Sequence, residues 1–226
     1  MAKHSRLEVL NAIKQIGLVP IFYNSDFETV KSIVCACADG GARVVELTNR
    51  GDRAIEIFKE LALFRDQNRP DLILGVGTVC DAPTAAMFIA AGADFVVSPC
   101  IDEQTAILCN SRKIPYIPGC GSVTEIHNAE SLGVEICKLF PAMEVGGPSF
   151  IKAVKAPQPW TDIMATGGVA PTEENLSEWF KAGTTCVGMG SKLITRESLE
   201  KKEYSAITKK VRQALEIIKS LKKNPL

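Results

Sequence analysis

The feature that most limits how this chain can fold is an eightfold alternation. Short apolar runs rich in Val, Ile and Leu are each followed by a longer amphipathic stretch. The series is GLVPIFY then DFETVKSIVCACADGG, RVVEL then DRAIEIFKELALFRDQ, LILGVG then APTAAMFIAAG, and DFVVSP then EQTAILCNSRK. It continues with PYIPG then SVTEIHNAESLG, VEICKLFP then GPSFIKAVKA, TDIMATGG then TEENLSEWFKAG, and TCVGMG then one segment from about Ser198 to Leu221. Short runs that are apolar throughout suit parallel strands covered on both faces. The intervening stretches carry helical spacing, as where Ile207, Val211, Leu215, Ile218 and Leu221 fall on one stripe. A further helix is expected from about Ser5 to Gln15. Eight successive strand–helix units predict an α/β fold, a (β/α)8 TIM barrel with an extra N-terminal helix. An open doubly wound sheet is the alternative, which eight similar units without a second domain disfavour. No Pro- or Ser-rich linker divides the chain, so residues 1–226 read as a single domain.

Hydrophobic residues make up 46% of 226, enough for one sizeable core. Lys+Arg and Asp+Glu both number 26, and the one small basic cluster is KSLKKN near the C-terminus. Nucleic acid is therefore not an expected partner. No apolar run reaches the length of a membrane span, and MAKHSRLEVLNAIK reads as the start of an amphipathic helix rather than a secretion signal. The eight cysteines form no C-x-x-C pair, and the only histidines are His4 and His127. Neither a zinc site nor a disulfide scaffold is expected, and a reduced cytoplasmic protein is.

In such barrels the chemistry sits at the C-terminal ends of the strands. The second run ends in Glu46, Thr48 and Arg50, the third in Thr78, the fourth in Ser98, Pro99 and Cys100, and the sixth carries Lys138. Strand alternation sets Val44, Glu46 and Thr48 on one face, and Val134, Ile136 and Lys138 on another. If both faces point inward, Glu46 and Lys138 converge at the barrel mouth. A lysine in an apolar setting is costly unless it is paired or has lost its proton. A neutral lysine amine is a nucleophile toward carbonyls. The competing interpretation is a structural Glu–Lys ion pair.

Two glycine-rich loops favour a ligand site. Gly167-Gly168 follows the seventh run and Gly188-Met189-Gly190-Ser191 the eighth, where these barrels commonly bind phosphate through bare backbone N–H groups. Tight turns that need φ > 0 would also explain glycine there. Gly75-Val76-Gly77 lacks the dinucleotide pattern and reads as close packing beneath Thr78. His127 is expected at or near the surface, and Trp160 and Trp179 as packing anchors.

The ordered set ELTNR, GVGTV, SP, IPG, KLFPA, TGG and GMGS resembles the 2-keto-3-deoxy-6-phosphogluconate (KDPG) and 4-hydroxy-2-oxoglutarate (KHG) aldolases, from VPIF near residue 19 to GS at 191. The resemblance implies a Schiff-base lyase on a TIM barrel, a homotrimer, without metal or other cofactor. By it, Lys138 is the Schiff-base lysine and Glu46 the general acid/base. Arg50 and Thr78 hold the pyruvate carboxylate, and Pro99 and Phe140 line the pyruvate pocket. Gly167, Gly168, Gly188 and Ser191 form the phosphate end. Asn49, Cys100, GCGS after IPG, and MEVGG after FPA depart from the common pattern near the distal pocket. They leave the substrate tail open among KDPG, its galactonate epimer and 4-hydroxy-2-oxoglutarate. Two other classes share the fold: a sugar-phosphate isomerase, for which the histidines are poorly placed, and a barrel that binds a phosphorylated ligand without catalysis.

Overall fold

A computed structural model of the chain describes residues 2–223. The strands are β1 (Leu18–Phe22), β2 (Val44–Thr48), β3 (Ile73–Gly77), β4 (Phe95–Val97), β5 (Tyr116–Ile117), β6 (Gly119–Cys120), β7 (Cys137–Leu139), β8 (Ile163–Thr166) and β9 (Cys186–Met189). All pair in parallel, in the order β5-β4-β3-β2-β1-β9-β8-β7-β6. The two ends of the sheet, β5 and β6, are one stretch of chain interrupted at Pro118, which has no N–H to donate. On one side Gly119 donates to the Ser98 carbonyl at 3.0 Å; on the other, Lys138 donates to the Pro118 carbonyl at 2.9 Å. The eight apolar runs therefore close into the (β/α)8 barrel that the alternation predicts.

Outside lie α2 (Phe27–Asp39), α3 (Ala54–Asn68), α4 (Ala82–Ala90), α5 (Glu103–Ser111), α6 (Val123–Ser131), α7 (Gly147–Lys155), α8 (Glu173–Lys181), α9 (Arg196–Glu200) and α10 (Tyr204–Lys223). Several helices begin at a capping side chain that accepts from the first turn: Asp26, Asp81, Asp102, Ser122 and Thr172. Each such cap contributes about 1 kcal/mol.

Alternation along the strands divides the core in two. Outward residues such as Leu18, Val45, Leu74 and Cys137 pack beneath the helices, and inward ones such as Val19, Val44, Phe95 and Ile136 fill the barrel. The N-terminal helix α1 (Arg6–Ile16) belongs to the inner core, where Val9, Leu10, Ala12 and Ile13 close the base of the barrel. Polar contacts fasten it there. Arg6 grips Glu135 through Nε and Nη2 at 2.7 and 2.8 Å, and Lys14 pairs with Asp162 at 2.6 Å. Asp94 accepts from the Lys3 and His4 amides at 2.7 and 3.1 Å while pairing with fully buried Arg65.

Two expectations are corrected. The C-terminal segment is not one helix: α9 ends where Lys202 takes a left-handed φ of 54° and Glu203 donates back to the Ser198 carbonyl, so α10 starts afresh at Tyr204. Trp179 is wholly buried, but Trp160 is 69% exposed and anchors no packing. His127 is exposed, as expected.

Candidate active site

Glu46 lies on the inward face of β2, opposite Gly75 of β3, and Thr48 lies opposite Gly77. A Cβ on Gly75 would fall 2.2 Å from the Phe95 ring, and one on Gly77 would fall 1.8 Å from Glu46 Oε1. The glycine pair therefore makes room for a ring and a carboxyl group inside the barrel, and is not a phosphate loop. Glu46 is 1% exposed, and its Oε2 has no hydrogen-bond partner among the described residues.

Lys138 projects inward from β7 and is 6% exposed. Its Nζ sits 4.8 Å from the centroid of the ring of Phe140, which directly follows β7. Burial holds the Lys138 ammonium below its ordinary pKa, Glu46 opposes that shift, and Arg50 adds to it. Burial raises the Glu46 carboxyl, against the pull of Lys138 and Arg50. No ion pair joins Glu46 to Lys138. The two groups share one electrostatic environment without a direct bridge, which is unlike a structural ion pair.

Arg50 is exposed at the mouth and donates from Nε to Thr78 Oγ1 at 3.4 Å. Thr78 has a left-handed φ of 61°. A β-branched residue pays for that conformation in strain, and strain of this kind gathers where a side chain must be aimed.

A cavity of about 510 Å³ opens at the C-terminal end of the barrel. Arg50, Phe140, Gly167, Gly168, Gly188 and Ser191 line it. Lys138 and Glu46 lie inside the barrel rather than on this wall: Lys138 lies against Phe140, and the Glu46 carboxyl lies against Gly77, the residue before Thr78. Thr78 reaches the cavity through its bond to Arg50. Pro99 is off the wall, at the end of β4, where its carbonyl fills the space of a side chain on Gly119. Cys100 is exposed, and Cys120 is buried in the outer core. Gly167 and Gly168 have left-handed φ values of 104° and 78°. Gly188 does not; a Cβ there would meet Thr166 Oγ1 at 2.4 Å.

Three polar lining residues had no role in the sequence reading. Tyr23 follows β1. Thr166 ends β8 with its Oγ1 buried and without a hydrogen-bond partner. Lys192 follows Ser191, so the lining carries two cations and no carboxylate among the described residues. A turn at 190–194, in which Leu193 and Ile194 both donate to the Gly190 carbonyl, gives the earlier Ser191 and Lys192 amides no acceptor of its own. Such an end of the cavity suits an anion. The GMGS loop signals this end in the sequence; the lysine directly after it was the part passed over. Among the described residues, no three His, Cys, Asp or Glu side chains gather as a metal site.

Comparison with known proteins agrees with this geometry. Residues 9–210 match the model of the KDPG and KHG aldolase family. A 2-dehydro-3-deoxy-phosphogluconate aldolase of Pseudoalteromonas atlantica is 31% identical over 215 residues, covering 95% of this chain and 97% of the relative. The KHG/KDPG aldolase of Escherichia coli K12 is 31% identical over 200 residues, covering 88% and 91%. Among solved structures, the KDPG aldolase of Legionella pneumophila, with pyruvate captured as a covalent carbinolamine intermediate, superposes with a TM-score of 0.81 at 28% identity, covering 90% of this chain and 96% of that one.

Proposed function

Because the chain belongs to the KDPG and KHG aldolase family, and is on that ground an aldolase and a lyase, we propose that it cleaves 2-keto-3-deoxy-6-phosphogluconate to pyruvate and glyceraldehyde 3-phosphate through an imine on Lys138. The observation that carries the lysine's role is its burial without an ion-pair partner among the described residues, within the field of the buried Glu46. Lys138, as the neutral amine, adds to the C2 ketone to give a carbinolamine, and loss of water gives a protonated imine. The C3–C4 bond then breaks: its electrons pass into the imine, the C4 hydroxyl gives up its proton, and the aldehyde leaves. The resulting enamine takes a proton at C3, and water releases pyruvate and the free amine.

Glu46 is the proton carrier for dehydration, for the C4 hydroxyl and for the enamine, working through water because it makes no direct bond to Lys138. Burial raises its carboxyl, which favours the protonated form from which it gives a proton. Arg50 offers a planar fork to the keto acid's carboxylate, with Thr78 adding a hydroxyl. Phe140 and Pro99 confine the pyruvate unit. Gly167, Gly168, Gly188 and Ser191 receive the phosphate, joined by Lys192.

Lys192 and the Ser191 and Lys192 amides, unbonded among the described residues, suit an anionic tail, and a cavity of about 510 Å³ leaves room for the longer phosphorylated one. Eight free thiols suit the reducing cytoplasm, and no helix among the described residues is long and apolar enough to cross a membrane. A homotrimer is the assembly that the family resemblance implies, and sedimentation measures it.

The test is borohydride reduction in the presence of pyruvate, followed by peptide mass spectrometry. A reduced adduct on the Lys138 peptide is expected; folded protein with no adduct at excess pyruvate would overturn the mechanism. Comparing kcat/KM for the phosphorylated and unphosphorylated keto acids, with and without Lys192→Ala, reads the tail. A Lys192→Ala loss confined to the phosphorylated substrate supports KDPG over the shorter acid.

A further inference from the structure

The loop between β2 and α3 carries Arg50, and its hydrogen bonds lie on the barrel side. Asn49 donates to the Gly77 carbonyl at 2.7 Å, Arg50 folds back onto the Thr48 carbonyl at 3.0 Å, and Ala54 donates to the Gly51 carbonyl at 3.0 Å. The Arg50 side chain has one hydrogen bond, the 3.4 Å contact to Thr78, and no carboxylate partner among the described residues. A long side chain held by one long hydrogen bond keeps most of its rotamer freedom. Its aim therefore depends on where the loop backbone sits.

Another contact bears on that backbone. A Cβ on Gly51 would fall 1.8 Å from the hydroxyl oxygen of Tyr23 and 2.5 Å from its Cζ. The tip of the Tyr23 ring thus rests directly on Gly51, the residue after Arg50. Gly51 is not among the glycines with a left-handed φ, so what a side chain would cost there is space rather than conformation. Tyr23 and Arg50 line the same cavity.

We propose that Tyr23 is a positioning residue for Arg50: its ring, seated on Gly51, fixes the loop so that the guanidinium faces the keto acid's carboxylate. This rests on Arg50 holding that carboxylate. Nothing is transferred in the step; the ring limits where the guanidinium can go, and misplacement of a binding group by about 1 Å can cost up to 10²-fold. Gly51 and Tyr23 form one device, since a side chain at 51 and the ring at 23 compete for the same volume.

The test is a double-mutant cycle on the pyruvate concentration that half-saturates borohydride trapping, with KM and kcat for cleavage measured beside it. Tyr23→Ala is expected to raise the half-saturating concentration and KM about tenfold while kcat stays within a few-fold. Tyr23→Phe keeps the ring and should restore most of the loss. In an Arg50→Ala background, Tyr23→Ala should change neither constant by more than about twofold, because the group it positions is gone. Gly51→Ala reaches the same device from the other side: it should weaken binding in the parent chain and cost less once Tyr23 is alanine. Equal losses from Tyr23→Ala with and without Arg50 would overturn the proposal, as would a fall in Tm with unchanged half-saturation. If Arg50→Ala alone leaves half-saturation unchanged, the carboxylate role of Arg50 fails first and the proposal falls with it.

Discussion

Glu46 Oε1 fills the volume that a side chain at residue 77 would need, with a Cβ on Gly77 falling 1.8 Å from it. The carboxyl group is thus seated by a neighbouring strand rather than by a partner charge. Gly77→Ala should displace it and slow turnover toward the level of Glu46→Gln, a loss of about 10²–10⁴-fold for a positioned acid/base. The double variant should be no slower than the worse single one. Steady-state kcat, with Tm to show that the barrel still forms, decides it; an unchanged kcat in Gly77→Ala would remove this seat from the mechanism.

Lys138→Met should abolish trapping and cleavage while stabilising the fold in a pH-dependent way. The folded-state pKa of Lys138 lies below 10.5. Between that folded value and 10.5, the unfolded chain binds a proton that the folded chain lacks, so the parent's stability rises with pH across this window. Below the window the parent carries the full cost of a buried ammonium, which methionine avoids. The Tm gain of Lys138→Met should therefore be largest on the acid side and shrink as pH approaches 10.5. A gain independent of pH would mean that Lys138 is not desolvated in the folded state.

The rate of imine formation should rise with pH as Lys138 loses its proton, and two substitutions should move that limb in opposite directions. Glu46 raises the lysine's pKa and Arg50 lowers it. Glu46→Gln should shift the limb to lower pH, and Arg50→Ala to higher pH. Stopped-flow or timed borohydride trapping across pH measures both; shifts of the same sign would show that the charges do not act on Lys138 as the geometry requires.

Thr166 lines the cavity, and its Oγ1 is buried with no hydrogen-bond partner among the described residues. Valine there removes an unsatisfied polar atom at nearly constant shape, so Thr166→Val should stabilise the fold by about 1 kcal/mol. The same change should lower kcat/KM for the sugar-acid substrate while leaving pyruvate trapping closer to the parent's. Thermal unfolding and the two kinetic assays read these separately. A loss of stability would show that the hydroxyl is bonded in the folded protein.

The barrel was legible because its repeat is local: a run buried on both faces, then a stripe at helical spacing, eight times over. The facing of Glu46 and Lys138 was legible for the same reason, since parity holds from Val44 to Glu46 and from Ile136 to Lys138; Val134, expected on that same face, lies before β7 and packs in the outer core instead. What escaped depends on residues distant in the chain. Thr166, Tyr23 and Lys192 meet in one cavity only after closure, and nothing near Tyr23 announces that it will lie on Gly51. The buried Arg65–Asp94 pair looks in sequence like two ordinary surface charges. The break before α10 also left no mark, because Lys202 takes its left-handed turn without glycine or proline.

The helix that closes the base of the barrel, fastened by Arg6, Lys14 and Asp94, seals an interior that Val19, Phe95 and Ile136 already pack, which leaves Lys138 to face the C-terminal mouth. Water bound for Lys138 has to pass the groups proposed to grip the substrate. A seated keto acid would then act as the cork, and the protons available behind it would be the ones that Glu46 brings. A loosely packed barrel could bind the same acid, yet it could not ration the water that reaches a half-formed enamine.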